Sequence, residues 1–267
     1  HVAEEEWTYD DSGHWHNCTG ADAGCDKKLD FAAHTEDKGT VTTQPTTDAE
    51  GVKTYKCKIC GHERTEPIPK LSDSAVAVTD GTVNKAFDDL PSALKEFKAS
   101  KNALTITLNE DANVKTLALP TKAESITFTG TGALNISATS ISIPANTNFD
   151  VEVNGKGKTL AIRVSAGKTL NINNKTTNIG AVSGTKTSTL NINSDTEVQS
   201  ITTFGTVTAD DGKTLTVTGR LTVISSLNGT VKFPTAKATA ATVTVGKAEI
   251  ILVSGNIAKV NLVDVAD

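Results

Sequence analysis

The sequence predicts an all-β fold: a solenoid of stacked strands, capped by one short N-terminal helix and preceded by a small metal-stapled β-rich module. Every cysteine and every histidine lies before residue 63 of the 267-residue chain. From Leu104 onward, apolar and polar residues alternate in short recurring segments, as in strands that bury one side by stacking. The composition changes near residue 70, so we predict a Cys/His module over 1–70 and a solenoid domain over 71–267.

The overall composition excludes several classes of function. Aromatic residues make up 4% of the chain and methionine is absent, so Val, Ile, Leu, Thr and Asn must do most of the packing, which suits stacked strands. A net charge of −5 gives no basic stripe for a phosphate backbone, so we expect no nucleic-acid partner. No apolar run is long enough to span a bilayer. The chain opens on His1, which we interpret as a processed secreted protein or an excised segment.

The cysteines form two pairs of different spacing. Cys57 and Cys60 are followed by Gly61, which is the usual spacing of a zinc knuckle: two thiolates face one ion and the glycine allows a tight turn. Cys18 and Cys25 form a looser pair whose intervening residues make a loop. We predict one closed, structural zinc site, because disulfides, the alternative for an even number of cysteines, leave the clustered histidines unexplained.

The spacing leaves the ligand set open between two arrangements. The favoured set joins both pairs: Cys18, Cys25, Cys57 and Cys60. The alternate set draws on the flanking histidines: His16, Cys18, Cys25 and His34. We prefer the first because the second leaves a knuckle-spaced pair idle, although two partly independent sites would use both.

The other polar and aromatic residues of the module have a simpler interpretation. We expect His14 and His62 to be exposed polar residues beside the site. We expect Trp7 and Trp15 to pack as a small apolar lid over the metal layer, with stacking on sugar rings as the alternative.

Three segments of the module carry a resemblance to a known family. They are 7–18 (Trp-Thr-Tyr-Asp-Asp-Ser-Gly-His-Trp-His-Asn-Cys), 32–35 (Ala-Ala-His-Thr) and 51–61, which ends on Cys-Lys-Ile-Cys-Gly. With the Pro-containing exit at 66–69, they resemble the cysteine/histidine modules of secreted surface proteins from anaerobic Gram-positive bacteria. This resemblance implies a secreted or cell-surface location.

The elements beyond the module begin with a cap. Two prolines over 67–69 indicate a semi-rigid linker, and 76–78 is a short strand candidate. Phe87, Leu90, Leu94 and Phe97 recur at helical spacing, which predicts a capping helix near 86–99, with a fresh start at Pro91.

The remaining chain consists of strand candidates with apolar residues two apart. They begin at Leu104, Ser125, Leu134, Phe149, Leu160, Leu170, Leu190, Leu215 and Leu221. Coils of about 20 residues give roughly seven or eight turns. Three asparagines occupy the middle of a Leu-Asn-Ile triplet: Asn135, Asn171 and Asn191. We expect them to face solvent, with an amide ladder between coils as the alternative.

The first coils resemble a second family. Residues 87–94, 104–111 and 126–136 are similar to the entry of pectate-lyase-like parallel β-helix domains found on bacterial surfaces. The resemblance implies a right-handed parallel β-helix. Because such domains include both enzymes and binding stalks, the fold does not choose between them.

The acidic residues of the solenoid give little support for catalysis. The candidate pairs are Asp150 with Glu152, Asp195 with Glu197, and Asp210 with Asp211. We expect them to be structural or solvated, so no catalytic residue is assigned.

The prediction is therefore a non-enzymatic, secreted or cell-surface structural or adhesion-type protein whose solenoid is an interaction stalk. The expected partner is a glycan or another surface protein, and the open solenoid end predicts self-association. The alternatives are a polysaccharide lyase or glycoside hydrolase, and a non-catalytic glycan-binding protein.

Overall fold

The computed structural model of the protein describes residues 2–18, 27–157, 160–233, 239–240, 243–252, 256–257 and 260–262. The chain divides into two compact units, His1–Leu71 and Ser72–Asp267. It is 56% strand and 6% helix, and it contains a β-solenoid, one short α-helix and a small β-sheet module that precedes them. The predicted fold class is confirmed.

The N-terminal module, His1–Leu71, contains two three-stranded antiparallel sheets. Their strands are β1 (Ala3–Asp10), β2 (Gly13–Cys18) and β3 (Lys28–Ala32), then β4 (Thr40–Thr43), β5 (Gly51–Lys56) and β6 (Glu63–Ile68). Strands β2 and β5 are the middle strands of their sheets. A tight turn joins β1 to β2, and the turn between β5 and β6 carries Cys57 and Cys60.

A cap covers the first coil of the solenoid unit. A 3₁₀ turn (Leu71–Asp73) spans the boundary between the two units. The cap then consists of β7 (Val76–Thr79), β8 (Asn84–Phe87), α1 (Leu90–Glu96) and a second 3₁₀ turn (Phe97–Ala99). Strand β7 pairs antiparallel with both β8 and the first strand of the coils.

The capping helix begins later than the sequence predicted. Phe87 ends strand β8, and α1 starts only at Leu90, where the Asp89 carboxylate accepts a hydrogen bond from the Ser92 backbone N–H at 2.7 Å. Pro91 fits the first turn of a helix, where its missing N–H has no partner to lose, and this confirms the predicted fresh start. Leu90, Leu94 and Phe97 are buried, so the predicted helical face exists without Phe87.

The coils are built from parallel strands. These are β9 (Leu104–Leu108), β10 (Ala112–Val114), β11 (Ser125–Gly130), β12 (Leu134–Ile136), β13 (Ser140–Ile143), β14 (Asn146–Phe149), β15 (Val153–Gly155), β16 (Leu160–Val164), β17 (Thr169–Ile172), β18 (Thr176–Thr177), β19 (Ile179–Ser183), β20 (Thr189–Ile192), β21 (Thr196–Ala209), β22 (Thr214–Phe233), β23 (Thr239–Ala240), β24 (Val243–Leu252), β25 (Asn256–Ile257) and β26 (Val260–Leu262). The strands are short up to β20 and longer at β21 and β22. They form about six turns, fewer than the seven or eight that coils of about 20 residues predicted.

Parallel pairing stacks equivalent residues of successive coils. One row of strands runs β9–β11–β14–β17–β20, a second runs β13–β16–β19–β21, and a third runs β10–β12–β15–β18. Leu170 pairs with Leu190 and Ile172 with Ile192, and all four side chains are buried. A single core therefore runs through the solenoid, as the alternation predicted.

The asparagines of the Leu-Asn-Ile triplets satisfy both predicted arrangements at once. They alternate with buried residues and so face outward, yet each is partly buried by its neighbours. Asn171 Nδ2 donates to Asn148 Oδ1 at 2.5 Å, and Asn191 Nδ2 donates to Asn171 Oδ1 at 2.7 Å. Asn135 belongs to a separate row on the β10–β12–β15 face. We call the row of Asn148, Asn171 and Asn191 the amide ladder.

Candidate metal centre

The turn between β5 and β6 positions the two free cysteines of the described chain. The Gly61 N–H donates to the Cys57 carbonyl at 3.0 Å, and the Cys57 N–H donates to the His62 carbonyl at 2.8 Å. Gly61 has a φ of +76°, in the left-handed region where glycine is least strained. The predicted reason for a glycine after Cys60 is therefore confirmed. Both thiols, Cys57 and Cys60, lie on this one turn.

The turn also alters the acidity of the two sulfurs. Burial by itself raises the pKa of Cys57, but the backbone N–H groups of Cys60 and Ile59, followed by the His34 ring, lower that pKa to about 5. Burial raises the pKa of Cys60, and so does the neighbouring Cys57 sulfur. A negative charge on one sulfur disfavours a negative charge on the other, and a bound cation would offset this repulsion.

Two histidines reach the same place from the other half of the module. His14 lies on the middle strand β2 and is fully buried; its Nδ1 is 3.9 Å from Cys57 Sγ, and its Nε2 has no hydrogen-bond partner. His34 follows β3 and places Nδ1 3.4 Å from Cys60 Sγ. Its Nε2 lies 2.7 Å from the Asp10 carbonyl oxygen, which can accept only from a protonated nitrogen. That contact leaves Nδ1 as the nitrogen with a free lone pair.

These four residues, which we call the Cys/His group, lie close enough to bind a metal ion. Their ligand atoms are all within 4.8 Å of one another. A tetrahedral zinc ion with ordinary bond lengths holds its sulfur and nitrogen ligands about 3.3–3.8 Å apart. The 3.4 Å and 3.9 Å sulfur–nitrogen distances are near that range.

Aromatic rings enclose the group. Trp7 meets the His14 ring edge-on at 4.6 Å, and the His62 ring stacks on His34 at 4.4 Å. His62 Nε2 lies 3.4 Å from the Asp11 carboxylate. Trp7 therefore packs against a residue of the group, as the lid prediction required. Trp15 packs elsewhere, with Lys28 Nζ 3.4 Å from its ring centroid.

The structure brings together only part of each predicted ligand set. Cys57 and Cys60 lie in the group, and so does His34 of the alternate set. Cys18 is disulfide-bonded, so its sulfur has no thiolate to offer a metal. Cys25 lies outside the described residues. The other alternate, His16, packs its ring against a tryptophan and directs Nδ1 to a backbone carbonyl at 3.1 Å.

His14 is the member of the group that the sequence analysis missed, and its predicted exposure is wrong. His14 and His16 are two residues apart on β2, so they share a face, and spacing alone does not choose between them. Strand pairing does not choose between them either, because His14 lies between Tyr9 and Ala32, and His16 lies between Trp7 and Leu29. What separates them is burial: His14 is fully buried, whereas His16 is only partly buried.

One groove of the described solenoid contains none of the predicted acids. It has a volume of about 690 Å³ and lies between α1 and residues 116–122. Leu94 and Leu119 form part of its floor, and three lysines line it: Lys95, Lys98 and Lys122.

Two predicted acids share a second, more polar groove. Asp195 and Glu197 lie with Lys175 and Lys232 around a volume of about 460 Å³. This groove therefore brings together two carboxylates and two amines.

The other acid pairs have structural neighbours. The Asp150 carboxylate accepts a hydrogen bond from Asn173 on the next coil, and Glu152 lies 4.0 Å from Lys175 Nζ. Asp210 begins a turn in which its carbonyl accepts from the Lys213 N–H at 2.9 Å. These contacts agree with the structural roles expected for both pairs.

The chain has no significant match among known protein families, curated proteins or solved structures. Among the described residues, no helix combines the length and apolar character needed to cross a membrane. The chemistry of the Cys/His group and of the solenoid surface is therefore the basis for any functional conclusion.

Proposed function

We propose that the N-terminal module binds one structural zinc ion through His14, His34, Cys57 and Cys60, and that the protein is a non-enzymatic secreted or cell-surface structural or adhesion-type protein. The observation that carries the metal proposal is the convergence of four ligand atoms within 4.8 Å. Two sulfurs and two imidazole nitrogens form a borderline-soft set that suits zinc better than calcium or magnesium. Four protein ligands leave no open position for substrate, which favours a structural role.

The packing of the module supports the same role. Its buried hydrophobic residues among those described are Trp15 and Cys57, with Pro45 also buried. So small a core gives little hydrophobic stabilisation to a unit of this size. Zinc binding in small modules contributes about 10–16 kcal/mol of apparent free energy, which becomes folding free energy. The ion would thus replace the missing core.

Metal analysis of matched variants tests the proposal. We expect purified protein to carry one zinc per chain, and Cys57→Ser and His14→Ala to lose it. His16→Ala is the matched control, because it removes a histidine from the same strand face outside the group. Cobalt substitution should give the absorption of a tetrahedral site with two sulfurs. A metal-free protein, or equal metal loss in the His16 variant, would refute the site.

The secreted location rests on the resemblance of the module to bacterial surface proteins and on one structural observation. Cys18 is disulfide-bonded, and disulfides persist mainly in oxidising compartments outside the cytosol. Localisation of the epitope-tagged protein by cell fractionation tests this part, and retention in the cytosol would contradict it.

The solenoid surface supports the proposed stalk and its partner class. One outward row crosses six coils without a charged residue: Thr105, Thr127, Asn148, Asn171, Asn191 and Thr208. An uncharged polar row suits a neutral glycan or the polar surface of another protein better than an acidic polymer. We expect binding to neutral polysaccharides that does not weaken as salt is raised, measured by co-sedimentation. Binding only to acidic polysaccharides, and only at low salt, would contradict this.

The groove at Asp195 and Glu197 favours one second candidate, a carbohydrate-active enzyme. Two carboxylates beside two lysines could supply an acid and a base for glycosidic cleavage. Incubation with a polysaccharide panel and analysis of reducing ends decides between the two. Depolymerisation that disappears in Glu197→Gln would replace the non-enzymatic proposal.

A further inference from the structure

The N-terminal module contains cysteine sulfur in two oxidation states. Cys18 is in a disulfide, whereas Cys57 and Cys60 are free thiols. A disulfide shows that the folded module is compatible with an oxidant for thiols. A second pair of neighbouring thiols in the same module is therefore exposed to the same chemistry, unless something protects it.

The geometry of the β5–β6 turn makes the free pair easy to oxidise. Cys57 and Cys60 belong to one turn, and their sulfurs lie within 4.8 Å of each other. Closing that distance to a disulfide bond requires movement within one short turn rather than rearrangement of the sheets. Cys-x-x-Cys pairs of this kind are common in proteins that exchange disulfides.

Metal binding and disulfide formation exclude each other at this pair. Each sulfur has to offer an electron pair to the ion, and a disulfide removes both thiolates from the ligand set. The two remaining ligands, His14 and His34, would hold zinc far more weakly than four do. Oxidation of the pair therefore means loss of the ion, and a bound ion protects the pair.

We propose that the metal centre is gated by thiol–disulfide exchange: a small disulfide oxidises Cys57 and Cys60 to an intramodule disulfide, and the ion is released. This proposal rests on the proposed zinc site. It adds a regulated state, in which the module of a secreted protein loses its metal staple when the surroundings become more oxidising and regains it when they become reducing.

Exposure sets the order of the steps. Cys57 is 3% exposed, whereas Cys60 is only partly buried, so Cys60 is the sulfur that an external reagent reaches first. In the zinc-loaded protein the Cys60 sulfur is a metal-bound thiolate; it attacks the small disulfide, forms a mixed disulfide and releases one thiolate of the reagent. The Cys57 thiolate then attacks the Cys60 sulfur and releases the second. The reagent accepts two electrons, and zinc leaves as Zn²⁺ with its charge unchanged.

The test treats the zinc-loaded full-length chain with oxidised glutathione. A chromogenic chelator measures released zinc, and mass spectrometry of peptides locates the new disulfide. We expect one zinc released for each Cys57–Cys60 disulfide formed, with the Cys18 disulfide unchanged, and recovery of zinc binding after reduced glutathione and zinc are added. Metal-free protein should form the same disulfide faster than zinc-loaded protein.

A reagent control separates oxidation from competition for the metal. Reduced glutathione at the same concentration cannot accept electrons from the two thiolates, so it should release far less zinc and form no Cys57–Cys60 disulfide. Equal release of zinc by reduced and oxidised glutathione would overturn the exchange mechanism. Wild-type protein that carries zinc and keeps both thiols in oxidised glutathione would also overturn the redox proposal, although the zinc site would stand. Protein that carries no zinc from the start would instead refute the site itself.

Discussion

Replacing Asn171 by alanine tests whether the amide ladder stabilises the solenoid. Asn171 is the middle residue: its Nδ2 donates to Asn148 at 2.5 Å, and its Oδ1 accepts from Asn191 at 2.7 Å. The alanine variant loses both hydrogen bonds and leaves one acceptor and one donor on neighbouring coils without their partner. A side-chain hydrogen bond contributes about 0.5–1.5 kcal/mol net, so we expect the free energy of unfolding to fall by about 1–3 kcal/mol.

The distribution of chromophores makes the assay specific to the solenoid. Both tryptophans, Trp7 and Trp15, lie in the N-terminal module, so tryptophan fluorescence reports on the module alone. The solenoid holds most of the strands, so far-ultraviolet circular dichroism mainly reports on it. Urea titrations followed by both signals should show a lower midpoint by circular dichroism and an unchanged transition by fluorescence.

A neighbouring threonine provides the matched control. Thr169 faces outward on the same strand, and the hydrogen bond described for it runs through its backbone N–H to Asn146. Thr169→Ala therefore reports the cost of losing an outward β-branched side chain without the ladder. If Asn171→Ala lowers the stability no more than Thr169→Ala does, the ladder contributes nothing and the argument fails.

Three further variants test the core, the cap and a coil corner. Phe128→Ala should lower the unfolding free energy by about 3–5 kcal/mol, because its ring is fully buried in the solenoid core. Asp89→Ala should cost about 1 kcal/mol by removing the cap on the Ser92 N–H. The same hydrogen bond lowers the pKa of Asp89 in the folded protein. The difference in unfolding free energy between the wild type and Asp89→Ala is therefore complete above the ordinary aspartate pKa, and it shrinks as the pH falls through the lowered pKa. Gly130→Ala should cost about 1–3 kcal/mol, since φ is +110° and a Cβ would lie 2.2 Å from the Leu108 carbonyl oxygen.

Each of these variants has a control within the chain, and urea titrations measure all of them. Phe31→Ala removes a ring that is about half exposed and should change the stability little. Asp89→Asn retains a capping oxygen and should lose less than Asp89→Ala, without the dependence on acid. Gly167 also has a positive φ, but nothing lies within 4 Å of its added Cβ, so Gly167→Ala should cost less than Gly130→Ala. Equal losses within any pair would contradict the explanation for that pair.

The solenoid could be predicted from the sequence because its contacts repeat at short range. The triplets that contain Asn171 and Asn191 show the inward and outward alternation directly, and the parallel register places one above the other. The prediction failed at α1, where a single residue determines the position at which the helix begins. Asp89 fixes the start of α1, so Phe87 falls in a strand instead of the helix that its spacing suggested.

The metal centre could be predicted only in part, because its residues come from distant segments. Cys57 and Cys60 were identifiable from local spacing, since one turn holds both. His14 and His34 join them only through the pairing of the module's strands, which has no short-range signature. The spacing of Cys18 and Cys25 is compatible with a disulfide or with a metal, and the structure places Cys18 in a disulfide.

The stability of the two units depends on different interactions, so removal of the metal should affect the module and not the solenoid. The solenoid buries a continuous row of aliphatic side chains, whose contribution does not change with redox conditions or zinc concentration. The module has almost no such core, so its folding free energy would come largely from the Cys/His group and would rise with free zinc by mass action. A chelator should therefore shift the fluorescence transition of the module and leave the circular dichroism transition of the solenoid in place. A shift of both would mean that the solenoid also depends on the ion, which its packing gives no reason to expect.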